Sequence, residues 1–168
     1  MDVVEAIRTL RAVRRYQAKL VPMETIGRIV EAGRLTGSAM NEQPWHFIVV
    51  ENREMLRRLG ALARSGPYIA EAPLAIVVAV EKTRFAVSDA SRAIQSMLLT
   101  AWADGVGSNW VGFGGLAEVK ALLKVPAGLE VFAILPFGYP VGAVGRGKKK
   151  RKPVRVVAHR EEYGQPLE

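Results

Sequence analysis

Cysteine is absent from the 168 residues of the chain, and histidine occurs only at His46 and His159. Without cysteine the protein can form no disulfide, no thiolate nucleophile and no zinc–thiolate site. The longest apolar run, around residues 72–80, is far shorter than the roughly 18 residues that a membrane-spanning helix needs. Both histidines stand beside expected strand or tail positions, so the sequence indicates no metal site and no set of residues for acid–base or nucleophilic catalysis.

The composition is that of a globular protein with an excess of positive charge. The length of 168 residues favours a single domain over residues 1–168, and the 49% of hydrophobic residues favours a globular fold over disorder. Asp2 and Glu5 precede any apolar stretch, unlike a secretory signal, so we expect a cytoplasmic protein. The net charge is +8, and basic residues concentrate near both ends of the chain. Such clusters favour an anionic partner, either a phosphate group or a nucleic acid.

Hydrophobic spacing predicts helices that alternate with short strands. Helices are expected over residues 2–10, up to Leu35, after Asn52, and over 89–104 and 117–123; strands are expected over 47–50, 74–80 and 131–135. The alternation predicts a sheet with helices on both faces, and from the pattern alone we expect parallel strands.

Three segments allow a more detailed prediction. The first helix has Asp2 as its N-cap and Glu5 completing a capping box, and its apolar residues should face inward: Val3, Val4, Ile7 and Leu10. The broad apolar face of the 89–104 helix suits either a core helix or a subunit interface. The alternation at 154–156 predicts an extended segment.

The stretch from Thr36 to Gln43 is a polar loop between a helix and a buried strand. It offers hydroxyl and amide groups that could bind a flat polar ligand, although ordinary connections have the same composition.

The order of residues in this loop is more informative than its composition. Residues 38–45 (SAMNEQPW) resemble the S-x-x-N-x-Q-P-W loop of the FMN-dependent nitroreductase family. Residues 11–16 (RAVRRY) resemble the R-[SA]-x-R-x-[YF] segment that holds the FMN phosphate in that family and approaches the pyrimidine edge of the flavin. The chain departs from many relatives at Leu10 and Ala12, where they have Arg and Ser, so one charge and one hydroxyl of the usual phosphate cradle are missing.

Two further segments extend the resemblance. Residues 110–112 (WVG) are similar to the family's W-[IV]-G segment, whose backbone N–H lies against flavin N5, and Val111 and Gly112 take those positions. Lys149, Arg151 and Pro153 match a [KR]-x-R-x-P element that returns to the FMN phosphate. They belong to what we call the basic arm, about residues 146–168.

The resemblance implies an α+β nitroreductase-like fold, with a mixed, largely antiparallel sheet between helices, and an interwoven homodimer with two FMN sites at the subunit interface. It implies nine cofactor-binding residues: Arg11, Arg14, Ser38, Asn41, Gln43, Val111, Gly112, Lys149 and Arg151. Arg14 would stabilise the negative charge that grows at the N1 and C2 carbonyl edge of the reduced flavin. The loop residues Ser38, Asn41 and Gln43 would meet the flavin held by the other subunit's arginines.

The implied activity is carried by the cofactor. Flavin N5 would take hydride from NADH or NADPH and the flavin would then reduce a small, flat acceptor such as a nitroaromatic or a quinone. Neither a nucleic acid nor a membrane is an expected partner.

Three alternatives stay open. One is a specialised flavoprotein of the same fold that dehalogenates a substrate or modifies a flavin. Another is a family member without flavin, motivated by Leu10 and Ala12. The third is a nucleic-acid-binding protein that uses the run 148–152, although no aromatic residues are interleaved with it as a stacking surface requires. Residues 142–149 (GAVGRGKK) are not a P-loop, because Lys149 stands where Ser or Thr must bind Mg²⁺.

Overall fold

The computed structural model describes residues 1–112, 116–142, 144 and 149–167. The helices are α1 (Val3–Thr9), α2 (Met23–Arg34), α3 (Arg53–Leu62), α4 (Ala86–Ala103), α5 (Leu116–Leu122) and α6 (Val154–Val157). The strands are β1 (Trp45–Val50), β2 (Leu74–Glu81), β3 (Gly107–Ser108) and β4 (Leu129–Gly138). Short 3-10 turns cover Ala39–Asn41 and Pro67–Glu71. Residues 146–148 and 168 of the basic arm lie outside the described residues.

The four strands form one sheet in the order β1-β2-β4-β3, and every neighbouring pair is antiparallel. An isolated parallel bridge joins Ala12 to Ser108 at one edge. The α+β fold with a mixed, largely antiparallel sheet is therefore confirmed, and the parallel sheet expected from the pattern alone is wrong. The continuous apolar run of β2 reflects burial on both faces, which any central strand can have whatever the direction of its neighbours.

Helices cover both faces of the sheet, so the fold has three layers. Alternate residues of β2 point to opposite sides. Leu74, Ile76 and Val78 join the core formed with α2 and α4, whereas Ala75 and Val77 join the core formed with α3 and α5. The apolar face of α4 packs inside the chain, so this face is core.

Local signals explain where several helices begin and end. Asp2 accepts the Glu5 N–H at 2.7 Å, and Asn52 accepts the Met55 N–H at 3.0 Å, as N-caps do. Gly105, with φ +76°, follows the end of α4 in the left-handed conformation that glycine adopts without steric cost.

Two local predictions are wrong. The side chains of Val3, Val4 and Ile7 are exposed rather than inward-facing, with 70%, 74% and 53% of their surface accessible. Residues 154–157 form the short helix α6 instead of an extended segment, because no strand of the sheet pairs with them.

Within the described ranges, no helix combines the length and the apolar character needed to cross a membrane.

Candidate functional site

A cleft of about 1160 Å³ opens between α1, the C-terminal half of α4 and the segment 108–110. Three of the basic residues proposed from the sequence, Arg11, Lys149 and Arg151, lie in its wall. They come from opposite ends of the chain, and the fold brings them together. The remaining wall includes the apolar side chains of Leu98 and Trp102.

The three cations influence one another. The Lys149 Nζ donates to the Ile7 carbonyl at 2.6 Å, which ties the basic arm to α1. Partial burial, followed by the charges of Arg151 and Arg11, lowers the pKa of Lys149 below its ordinary value. Like charges so arranged repel, and an anion such as a phosphate would relieve that repulsion with charge-assisted hydrogen bonds.

Ser108 contributes an unused hydroxyl to the same wall. Its side chain is buried, and its Oγ has no hydrogen-bond partner among the described residues. A buried polar group without a partner is unfavourable, so binding is favoured when a small movement lets a ligand supply one. Ser108 stands beside Ala12, to which it is joined by an isolated parallel bridge. A polar or anionic ligand therefore fits this part of the cleft.

Arg14 lies just outside the cleft wall. Its guanidinium carbon is 5.9 Å from the centre of the Tyr68 ring, in cation–π geometry. The Tyr68 hydroxyl accepts a hydrogen bond from the Asn109 side chain, and Asn109 lines the cleft. Sequence reasoning missed both Tyr68 and Asn109, because neither belongs to a recognisable motif.

Val111 and Gly112 follow the cleft residue Trp110. The Val111 N–H donates to the Ile134 carbonyl at 2.9 Å, and the Val111 carbonyl accepts from the Ile134 N–H at 2.8 Å. The Val111 amide is thus engaged by the sheet, whereas Gly112 has no hydrogen bond among the described residues. A Cβ at Gly112 would come within 3.0 Å of the Trp110 Nε1, so any other residue here would displace the Trp110 ring.

Ser38, Asn41 and Gln43 form a second group. The Gln43 N–H donates to Ser38 Oγ at 2.9 Å, and the Gln43 side chain donates to the Asn41 carbonyl at 3.2 Å. Met40, Asn41 and Gln43 have φ values of 52°, 58° and 50°. Left-handed backbone at non-glycine residues costs on the order of 1 kcal/mol each, and such outliers concentrate at ligand-binding sites.

The loop group does not line the cleft. Its backbone is attached near the start of α4, where the Ala39 N–H lies 3.2 Å from both carboxylate oxygens of Asp89. The cleft borders α4 at Gln95, Leu98 and Trp102, six to thirteen residues further along the helix. At about 1.5 Å per residue, the attachment of the loop and the nearest α4 residue of the cleft are roughly 9 Å apart along the helix axis. Within one chain, the loop group is therefore set apart from the cleft that Arg11, Lys149 and Arg151 line.

The chemistry available at these sites is that of binding and orientation. Among the described residues, no group of three or more His, Asp or Glu side chains could hold a metal ion. The cleft offers cations, an amide, a hydroxyl and aromatic surface, which together suit an anionic, largely planar ligand.

Comparison with known proteins supports this interpretation. The sequence model of the Nitroreductase family matches residues 7–81 and 65–139. A protein from Methanothermobacter thermautotrophicus, provisionally named NADH dehydrogenase/NAD(P)H nitroreductase, is 40% identical over 83% of this chain and 78% of its own length. The FMN reductase [NAD(P)H] of Bacillus subtilis is 25% identical, over 96% of this chain and 74% of the relative. The solved structure of an FMN-dependent nitroreductase from Clostridium difficile R20291 superposes with a TM-score of 0.86 at 26% identity, covering 96% of this chain and all of that one.

Proposed function

Because the chain belongs to the nitroreductase family, we propose that it is an FMN-dependent oxidoreductase that takes hydride from NADH or NADPH and reduces a flat acceptor. The acceptor class would include nitroaromatics and quinones, reduced after the nicotinamide product has left. The observation that carries the proposal is the convergence of Arg11, Lys149 and Arg151 on one cleft.

These three residues would hold the FMN phosphate. Guanidinium groups donate two parallel hydrogen bonds to phosphate oxygens, and the lysine adds a compact positive charge. The unpartnered hydroxyl of Ser108 beside Ala12 supports a polar group at this end of the cleft.

Bound FMN would supply the chemistry, namely an N5 atom that accepts hydride and a ring system that delivers two electrons. The contribution of the protein is position and charge. Val111, fixed to Ile134, would hold Gly112 where its N–H and its bare Cα face a planar ring. Arg14 would stabilise negative charge at the pyrimidine edge, as a charge stabiliser and not as a proton donor.

We further propose a homodimer with two flavin sites. The loop residues Ser38, Asn41 and Gln43 would complete the site of the partner subunit, which accounts for their separation from the cleft within one chain. Exposed apolar residues on α1 and α6 support a subunit contact, since such faces are unfavourable in water. These residues are Val3, Val4, Ile7, Val154, Val156 and Val157.

The whole of residues 1–168 would act as one domain, in which the basic arm closes the phosphate end of the cleft. A cytoplasmic location stays a prediction.

The visible absorption spectrum of the purified protein tests the proposal. We expect an oxidised-flavin spectrum that bleaches when NADH or NADPH is added without air, and that returns when a quinone or nitroaromatic is supplied. A protein that binds no added FMN would contradict the proposal. A protein that bleaches but fails with all such acceptors would favour the specialised flavoprotein with a dedicated substrate.

A further inference from the structure

We propose that Asp89 is a positioning residue, whose buried carboxylate holds the Ser38–Gln43 loop in the conformation that binds flavin. This inference rests on the function proposed above, because it assigns Asp89 a part in building the same flavin site.

Asp89 is a charged side chain with none of its surface accessible. Its two carboxylate oxygens accept the Ala39 N–H, each at 3.2 Å, and it forms an ion pair with Arg92 one turn further along α4. The side chain of Arg92 is half-exposed, so only the carboxylate pays the full cost of leaving water. Arg92 and the first turn of α4 compensate part of this cost, and the one compensating contact described outside α4 is the Ala39 N–H of the loop.

The contacts indicate that Asp89 fixes the backbone conformation of the Ser38–Gln43 loop. Met40, Asn41 and Gln43 are all left-handed, a conformation that asparagine adopts readily but that is uncommon and costly for Met40 and Gln43. The internal hydrogen bond from the Gln43 N–H to Ser38 Oγ closes the loop on itself but does not attach it to the fold. The loop is attached to α4 by the hydrogen bond that the Ala39 N–H donates to the Asp89 carboxylate.

A second contact restrains the approach to the loop. Thr36 Oγ1 donates to Ser96 Oγ on α4 at 2.8 Å. Thr36 and Ala39 are thus both hydrogen-bonded to side chains of α4. Met40, which follows Ala39 and precedes β1, has 86% of its surface exposed and lies at the tip of the loop. Charge-assisted hydrogen bonds are roughly twice as strong as neutral ones, so the Asp89 contact should dominate.

The absence of cysteine makes a site-specific test possible. In a Met40→Cys protein, a nitroxide attached to the single thiol reports the mobility of the loop by electron paramagnetic resonance. Introducing Asp89→Asn into this background should sharpen the spectrum, because a neutral amide holds the Ala39 N–H less strongly. In the otherwise native protein, Asp89→Asn should raise the dissociation constant of FMN by about tenfold, the loss of one charge-assisted hydrogen bond.

Two controls separate this effect from a general loss of structure. Asp104→Asn removes a carboxylate just beyond the other end of α4, where it pairs with Arg28, and should change neither loop mobility nor FMN affinity. A nitroxide at Arg58→Cys on α3 should be insensitive to Asp89→Asn.

Unchanged loop mobility in Asp89→Asn would overturn the proposal. Increased mobility with unchanged FMN affinity would overturn it too, because the loop would then not be held for flavin. If the native protein bound no FMN, the proposed function would fail, while the nitroxide spectra would still decide whether Asp89 holds the loop.

Hydrogen exchange of the native protein tests the contact even if Asp89→Asn does not fold. The amide of Ala39 should be protected, whereas that of the neighbouring Met40, which has no partner among the described residues, should exchange quickly. Equal exchange rates at the two positions would overturn the proposal.

Discussion

Replacing the single side chain of Arg151 tests whether this residue binds the FMN phosphate. Arg151→Ala should raise the dissociation constant of FMN at least about tenfold, since a hydrogen bond to a charged group contributes roughly 1.5 to 3 kcal/mol. Fluorescence quenching of added FMN measures the change. Lys152→Ala is the matched control, because Lys152 is exposed, one residue away and absent from the cleft wall. Equal retention of flavin on dilution by both variants would remove Arg151 from the site.

Because its pKa is lowered in the folded protein, Lys149 should make both folding stability and FMN affinity depend on pH. Its pKa is lowered by partial burial and by the charges of Arg151 and Arg11, so in the unliganded protein it loses its proton at a lower pH than an ordinary lysine. The folded chain then binds fewer protons than the unfolded chain between the two pKa values, and stability should rise with pH across that interval.

FMN affinity should change in the opposite direction. A phosphate binds the protonated amine, so affinity should fall as pH rises through the lowered pKa of Lys149. In Arg151→Ala the positive charge of Arg151 no longer lowers the pKa of Lys149, so FMN affinity should fall at a higher pH than in the native protein. Titrations of FMN affinity against pH for both proteins measure the shift, and superimposable pH profiles would show that Arg151 does not act on Lys149.

Some residues of the candidate site can be identified from the sequence and others cannot. Arg11, Lys149 and Arg151 belong to motifs whose chemistry is evident, and the structure brings all three to one cleft. Tyr68 and Asn109 carry no motif, and their hydrogen bond depends on a fold that joins distant parts of the chain. Such a pair can be found only once the structure is known.

At the scale of helices and strands, the sequence predicted correctly those features that depend only on residues close together in the chain. The cap predicted at Asp2 forms, and Asn52 caps α3 in the same way, because each cap joins residues three positions apart. The strand direction expected from the pattern alone was wrong, since burial of β2 does not reveal which way its neighbours run, whereas the direction implied by the family resemblance was right. The inward face assigned to α1 also failed, because periodicity shows which residues share a face but not what covers it.

The pairing of Val111 with Ile134 on β4 places Gly112 beside the cleft, and this arrangement can be tested. Gly112→Val should lower FMN occupancy and activity severely, because a Cβ there meets the Trp110 Nε1 at 3.0 Å and a larger side chain would push the Trp110 ring, which lines the cleft, out of its place. The flavin-to-protein absorbance ratio measures occupancy. Gly128→Val is the control, since a Cβ at Gly128 meets nothing within 4 Å. A Gly112→Val protein with full flavin and full activity would refute this placement.

For the whole molecule, the net charge of +8 is explained in part by a cleft that gathers cations from both ends of the chain. The remaining question is whether one flavin site draws on two subunits. In the described chain the loop group is attached to α4 roughly 9 Å, along the helix axis, before the cleft that Arg11, Lys149 and Arg151 (the cleft group) line, and a two-subunit site would explain this separation.

A mixed dimer can answer this question. Arg151→Ala damages the cleft group, and the double variant Ser38→Ala/Asn41→Ala damages the loop group. If each site combines the cleft of one subunit with the loop of its partner, a heterodimer of the two variants has one site with both defects and one site with none. The heterodimer, purified through two different affinity tags, should therefore bind FMN with native affinity at about half of its sites, as two-fold symmetry requires. If both groups act within one chain, every site in the heterodimer carries a defect and no native-affinity binding is recovered. If no heterodimer forms, the proposed homodimer itself is wrong.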